Sequence, residues 1–254
     1  MFKKLIIAFS VLIILTSAAL LSQEEREIEL TAQAIVARVD RVMQFPEGLM
    51  KGSIKHIFPD GRSYVSELNG QISKEDFLFT FSSRERGNQL KVLYNLGGED
   101  IWVYNIHSLK LFHKMGIDKY DLILSTNFSF IDLSNADLQS NYTATIVGDA
   151  SIKGIDTYKL VLKPIFRGGE YGSLTLYATK DKYLPMRIDF HDRDNMIFKF
   201  MSIVRTMEKG DRVIPVRYDM MDIRKGTISI LSFTSFDEKA RFDREIFRSN
   251  KLGE

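Results

Sequence analysis

The chain has no cysteine, so it can hold neither a disulfide nor a thiolate metal site, and it cannot carry the acylated cysteine of a bacterial lipoprotein. Its stability has to come from a core. A marked excess of one charge is also missing. Lys and Arg number 35 against 33 Asp and Glu, and Lys3 and Lys4 supply the difference, so everything after the first four residues is balanced. Basic and acidic side chains alternate throughout. That pattern excludes a generally polyanionic partner such as nucleic acid, whose binders show a basic excess or stripe.

Catalytic and phosphate-binding motifs are absent too. The four histidines, His56, His107, His113 and His191, sit in no H-E-x-x-H pattern, and no serine stands in a G-x-S-x-G elbow. Neither Gly97-Gly98 nor Gly168-Gly169 opens a helix in a P-loop or dinucleotide pattern, so these glycines read as turn residues. The densest candidate for a metal is HDRD at residues 191–194. It lies between two alternating segments, where Asp and Asn favour a solvated turn. These observations predict a protein without catalytic residues, cofactor or metal.

What the chain does have begins with two lysines, an unbroken apolar run over residues 5–15 and small residues at 16–19. This is the layout of a secretory signal peptide, expected at residues 1–22. Residues 5–21 touch the lower length for a membrane-spanning helix, so a retained anchor is the alternative. The remainder, residues 23–254, is long enough for one domain with one large core.

Over residues 24–45 the apolar positions Ile28, Ala32, Ile35, Val36, Val39, Val42 and Met43 recur at steps of three and four, which predicts one amphipathic helix. Pro46 and Gly48 end it. Beyond Gly48 the apolar period drops to about two, and roughly a dozen strands follow one another with short turns. One antiparallel meander is expected, its inner side covered by the helix. GDASIKG, RGGEY, KDKY, DRDN and MEKGD read as turn-forming segments. IWVYN and LKLFH read as a hairpin around His107 and Ser108. Residues 115–140 break the rhythm, because Ile117, Tyr120, Leu122, Ile123 and Leu124 do not alternate. One or two short helices on a lid-like insertion are expected there. A transmembrane barrel is excluded by charges on nearly every strand.

The 18 Phe, 10 Tyr and 10 Met fall mostly on alternating strand positions. They fit either a filled core or the wall of an apolar cavity.

Trp102 and Tyr104 of a W-x-Y strand, STNFSFIDL at residues 125–133, the Leu184-Pro185 strand with the hairpin after it, and the ending FDREIFRSNKL together resemble the outer-membrane lipoprotein-sorting family, the LolA-like periplasmic carriers. The resemblance spans most of residues 23–254. Departures occur at Ile106, at Phe112 and His113, and at residues 125–128. It implies a mainly β fold with helices (α+β): a half-open antiparallel β-barrel packed on the N-terminal helix, in the periplasm of a diderm bacterium. It further implies non-enzymatic work without a cofactor: taking up acyl chains of a lipoprotein or lipid from an inner-membrane transporter and releasing them to an outer-membrane acceptor, as a monomer. By parity the implied lining is Phe77, Phe79 and Phe81 on one strand and Leu90, Val92 and Tyr94 on the next. Trp102 and Tyr104, then Leu160 and Leu162, then Leu174 and Leu176 follow, with Met186, Ile188 and Phe190 last. A one-residue slip would invert any strand. Leu122, Leu124, Phe128 and Phe130 are the implied lid residues, and Asp132 with the neighbouring hydroxyls suits a backbone cap. The alternative is an envelope interaction or sensing module with a filled core.

Overall fold

The computed structural model describes residues 30–83, 89–134, 137–166, 168–210 and 212–254. The expected signal peptide and the first residues of the expected helix lie outside them. Helix α1 (Ala32–Met43) buries Ile35, Val36 and Val39, one stripe at helical spacing. It ends before Pro46, where Phe45 turns its ring edge-on to Phe79 at 5.4 Å and to Phe233 at 5.6 Å.

Thirteen strands follow: β1 (Gly48–Ile57), β2 (Ser63–Ser73), β3 (Asp76–Ser82), β4 (Gln89–Asn95), β5 (Asp100–Asn105), β6 (Lys110–Lys114), β7 (Tyr142–Ile152), β8 (Ile155–Pro164), β9 (Ser173–Thr179), β10 (Pro185–His191), β11 (Ile197–Lys209), β12 (Arg212–Asp222) and β13 (Thr227–Asp237). They form one antiparallel sheet in the order β6-β5-β4-β3-β2-β1-β13-β12-β11-β10-β9-β8-β7. The sheet is not closed, since β6 and β7 are its two ends. Two meanders therefore meet where β1 pairs with β13, and the chain between β6 and β7 has to travel from one edge to the other.

Alternation sets which face is buried. In β2 the inward residues Tyr64, Ser66, Leu68, Gly70 and Ile72 are buried and every residue between them is more exposed. On β3 the same face carries Phe77, Phe79 and Phe81, all fully buried. Gly70 is required here, because a Cβ at this position would stand 2.7 Å from the Phe79 ring.

The opposite face of β3–β5 is covered as well. Leu78 and Leu93 meet Phe247 and Leu252 of the C-terminal 3₁₀ turns, with Trp102 and Tyr104 packed against that cluster. Asn95 Nδ2 donates to the Phe247 carbonyl at 3.1 Å and Lys91 Nζ to the Leu252 carbonyl at 2.8 Å, which fasten the C-terminal segment down.

One expected turn is strand instead. GDASIKG was placed between strands, yet β7 runs on to Ile152 and turns only at Lys153-Gly154. The register shifts between Ile146 and Gly148, and Gly148 has φ +141°. A β-bulge absorbs the glycine and lets the strand continue.

Truncating a ring in the aromatic cluster isolates its contribution. Phe79→Ala should lower stability by about 3–5 kcal/mol, read as a lower urea midpoint with an unchanged slope; a change under 1 kcal/mol would mean that the cluster does not carry the core.

Candidate ligand-binding site

The chain between β6 and β7 crosses the inner face of the sheet. Two 3₁₀ turns, Gly116–Tyr120 and Ile123–Ser125, precede two short helices, α2 (Phe130–Leu133) and α3 (Leu138–Asn141). Residues 126–130 are almost fully buried. Asn127 holds this segment to the far side of the sheet. Its Nδ2 donates to the carbonyls of Met220 (3.0 Å) and Thr227 (2.9 Å), its Oδ1 accepts from the Thr227 hydroxyl, and its backbone N–H donates to Ser229 Oγ. Ser229 Oγ lies 2.8 Å from His56 Nδ1. A polar side chain with this many partners can be buried without an unsatisfied group.

The second anchor is ionic. Ser129 and Asp132 form a capping box at the start of α2. Asp132 Oδ2 also accepts from Lys199 Nζ at 2.7 Å, with side chains 2% and 5% exposed. Tyr171 OH donates to Asp132 Oδ1 at 2.7 Å and accepts from Lys199 Nζ at 2.5 Å. Burial, reinforced by the negative Asp132, holds the Tyr171 phenol well above its ordinary value, so it stays a donor. Lys199 reaches this place because it pairs with Phe190 across β10–β11, on the same face as Met201. The Lys199 ammonium also lies 4.7 Å from the Tyr171 and Phe190 ring centres.

Beside this anchor is a cavity of about 300 Å³. Its sheet wall is Tyr142, Leu174, Ile188, Phe190 and Met201, and its cover is Tyr120, Ile131, Leu138, Phe166 and Tyr171. A larger polar compartment of about 740 Å³ shares Lys119, Ile131, Ser134, Asp137 and Asn141 with it. Lys119 stands at that junction, donating to the Glu99 carbonyl. Partial burial lowers the pKa of its ammonium, against the pull of Glu99 and Asp100.

The expected lining residues divide into three groups. Leu174, Ile188 and Phe190 face the cavity. Phe77, Phe79, Phe81, Leu90, Val92, Tyr94, Leu160, Leu162 and Leu176 are buried on strands of the same sheet without lining it. Phe77 and Tyr94 stack at 4.5 Å, filling the space at that end. Trp102 and Tyr104 require a correction. Val92 pairs with Val103 and Tyr94 with Ile101, so Ile101 and Val103 continue the inner face and Trp102 and Tyr104 point outward. Met186 falls at the bulge between Pro185 and Arg187, where strict alternation does not apply, and is half-buried.

Of the implied lid residues, Phe128 and Phe130 are buried, Leu124 is half-buried with φ +50°, and Leu122 is 39% exposed. HDRD forms the β10–β11 turn, in which the Asp192 carboxylate accepts from the N–H groups of Asp194 and Met196 and pairs with Arg224. Residue-by-residue reading missed Asn127, Lys199, Tyr171, Tyr142 and Leu138. Lys199 had a signal, since it shares its parity with the apolar Ile197, Met201 and Ile203.

An open antiparallel sheet with a helix and a crossing segment inside its curve is LolA-like in fold. Three solved structures share it: a DUF1329 family protein from Desulfovibrio piger (18% identity, 87% of this chain and 97% of that one, TM-score 0.73), a domain from Vibrio parahaemolyticus named for outer membrane lipoprotein sorting (16%, 86% and 97%, TM-score 0.72) and a LolA superfamily protein from Nitrosomonas europaea (19%, 87% and 99%, TM-score 0.71). At these identities the likeness is one of fold. Residues 73–254 match the family model described as "-like: Uncharacterized protein", and the chain belongs to that family. No curated protein matches it by sequence.

Removing one partner of the buried ion pair should cost more than removing both. Lys199→Met or Asp132→Asn alone is expected to destabilise by about 3–5 kcal/mol, and the double variant to regain most of that loss. Additive losses in a urea double-mutant cycle would show that the two groups do not act as a pair.

A second carboxylate makes a prediction about pH. Asp40 of α1 accepts from the N–H groups of Leu138 (3.1 Å) and Gln139 (2.8 Å), tying α3 to α1. Burial raises its pKa from 3.8 to about 7, against the lowering effect of those two bonds. The folded state thus binds this proton more tightly than the unfolded chain, and Asp40 costs stability progressively as pH rises from about 4 to about 7. Asp40→Asn should flatten that part of the stability profile, measured by urea unfolding at intervals of half a pH unit; an unchanged slope would contradict the assignment.

Proposed function

We propose that the protein is a non-enzymatic carrier that takes up an acyl chain of a lipid or lipoprotein and moves it between the inner and outer membranes through the periplasm. The observation that carries this reading is the apolar cavity walled by Leu174, Ile188, Phe190 and Met201. Each methylene transferred into such a space contributes about 0.8 kcal/mol without any bond chemistry. At about 300 Å³ it stands at the lower end of the range of ligand pockets, roughly 300–1,000 Å³. That suits part of one chain with the crossing segment in place. The fold shared with lipoprotein-sorting and LolA superfamily proteins supports the same reading, as does a leader suited to export. Donor and acceptor are membrane-bound partners in this scheme, and the carrier works as a monomer. Release rests on competing affinities at the acceptor.

A second reading has one observation in its favour. The β1–β4 end of the inner face is filled by Phe45, Phe77, Phe79 and Tyr94, as a core without ligand would be. An envelope interaction module would use that filled body alone.

Filling the cavity separates the two. Ile188→Trp should abolish uptake of a fluorescent acyl chain and shift the melting temperature little, because the ring enters open space. Extraction of the wild-type protein from its own periplasm should yield lipid by mass spectrometry, and the filled variant should yield none. A wild type that is empty on extraction and takes up no probe would leave the interaction module standing.

A further inference from the structure

Resting on that carrier reading, we propose that the ligand is a single-chain amphiphile with a zwitterionic headgroup, its chain in the apolar cavity and its head in the adjoining polar compartment, with the anionic group of the head on Lys119. The two compartments adjoin, with five residues lining both, and the polar one is the larger, at about 740 Å³ against about 300 Å³. An acyl chain entering the smaller space leaves its head at Lys119.

The charges around the polar compartment are of both signs. Lys74, Lys119 and Arg212 line it together with Glu47, Glu75, Glu99 and Asp137, whose carboxylate also caps α3 by accepting from the Ser140 N–H. Among the described residues none of these seven takes part in an ion pair, whereas ion pairs join charged side chains at many other places, from Arg62–Asp60 to Lys251–Glu254. Lys119 donates one bond, to the Glu99 carbonyl, and an ammonium has three donors. Cations and carboxylates held around one space without pairing match a ligand that brings both an anion and a cation. A purely anionic head would face four carboxylates, Asp137 at the junction among them, and a purely cationic one would face Lys119 there with Lys74 and Arg212 beyond it. Chain number follows from size: a second chain has no apolar space to enter while residues 126–130 stay seated on the sheet.

The test is a set of four probes of equal chain length on the full chain: lysophosphatidylethanolamine, a fatty acid, a fatty amine and a monoacylglycerol, titrated below their micellar concentrations. The lysophospholipid should bind about tenfold tighter than the monoacylglycerol, the scale of one charge-assisted hydrogen bond. Lys119→Glu should remove that advantage and leave the monoacylglycerol unchanged, and Lys119→Gln should give an intermediate loss if the fold of the first variant is in doubt. Equal affinity for all four probes, tighter binding of the fatty acid or the fatty amine, or equal weakening of every probe by Lys119→Glu would overturn the headgroup assignment and leave the acyl carrier intact. No binding of any probe would remove both.

Discussion

The seating of residues 126–132 on the inner face of an open sheet is the constraint from which most of the structure follows. A thirteen-stranded sheet that does not close has a curved apolar side wider than a twelve-residue helix can cover, and water on that side would undo the burial that holds a cysteine-free chain together. The chain must in any case return from β6 at one edge to β7 at the other. Routing that return across the inner face covers the remainder. The difficulty is that a non-repetitive segment carries backbone polar groups with it. Asn127 resolves this on one side by donating its backbone N–H to Ser229 Oγ while its side chain bonds two strand carbonyls, and Asp132 resolves it on the other by closing a capping box while meeting Lys199.

The cover is uneven, and that unevenness makes the site. At the β1–β4 end, aromatic rings are stacked closely enough to fill the space under Phe45. At the β9–β11 end the facing groups are the 3₁₀ turn at Gly116–Tyr120, the short helices and the stretch around Phe166, which bridge the curve without filling it. A single inner surface thus acts as core in one half and as cavity wall in the other, so the choice between a filled barrel and a ligand cavity does not have one answer for the whole chain.

Strand periodicity made the meander legible from the sequence, because each side chain's face follows from its parity and most strands alternate cleanly. The same rule placed Leu174, Ile188 and Phe190 at the wall. It failed at β5, where Trp102 and Tyr104 are as bulky as any core residue but face outward. The reason is that β5 is covered on both faces, inside by the return segment and outside by Phe247 and Leu252, so hydrophobicity carries no information about direction there. At β10 a bulge beside Met186 cancels parity locally. Asn127 and Lys199 were hidden for a different reason: a buried polar residue is recognised by its partners, and theirs are 28 to 102 residues away.

On the proposed carrier function, these anchors would also set how large a ligand the fold admits. A chain longer than the present cavity would have to lift residues 126–132, separating Lys199 from Asp132 and exposing Phe128 and Phe130. Leaving one charge of such a pair buried and unpaired costs about 3–5 kcal/mol, and burial returns about 0.8 kcal/mol per methylene. Roughly four to six methylenes would therefore offset the ionic anchor alone, and more would be needed for the two rings. On that reading a short or single chain would enter with the segment seated. A multi-chain ligand would become favourable only once its apolar surface exceeded that threshold, which would make the strength of the Lys199–Asp132 anchor a filter on ligand size.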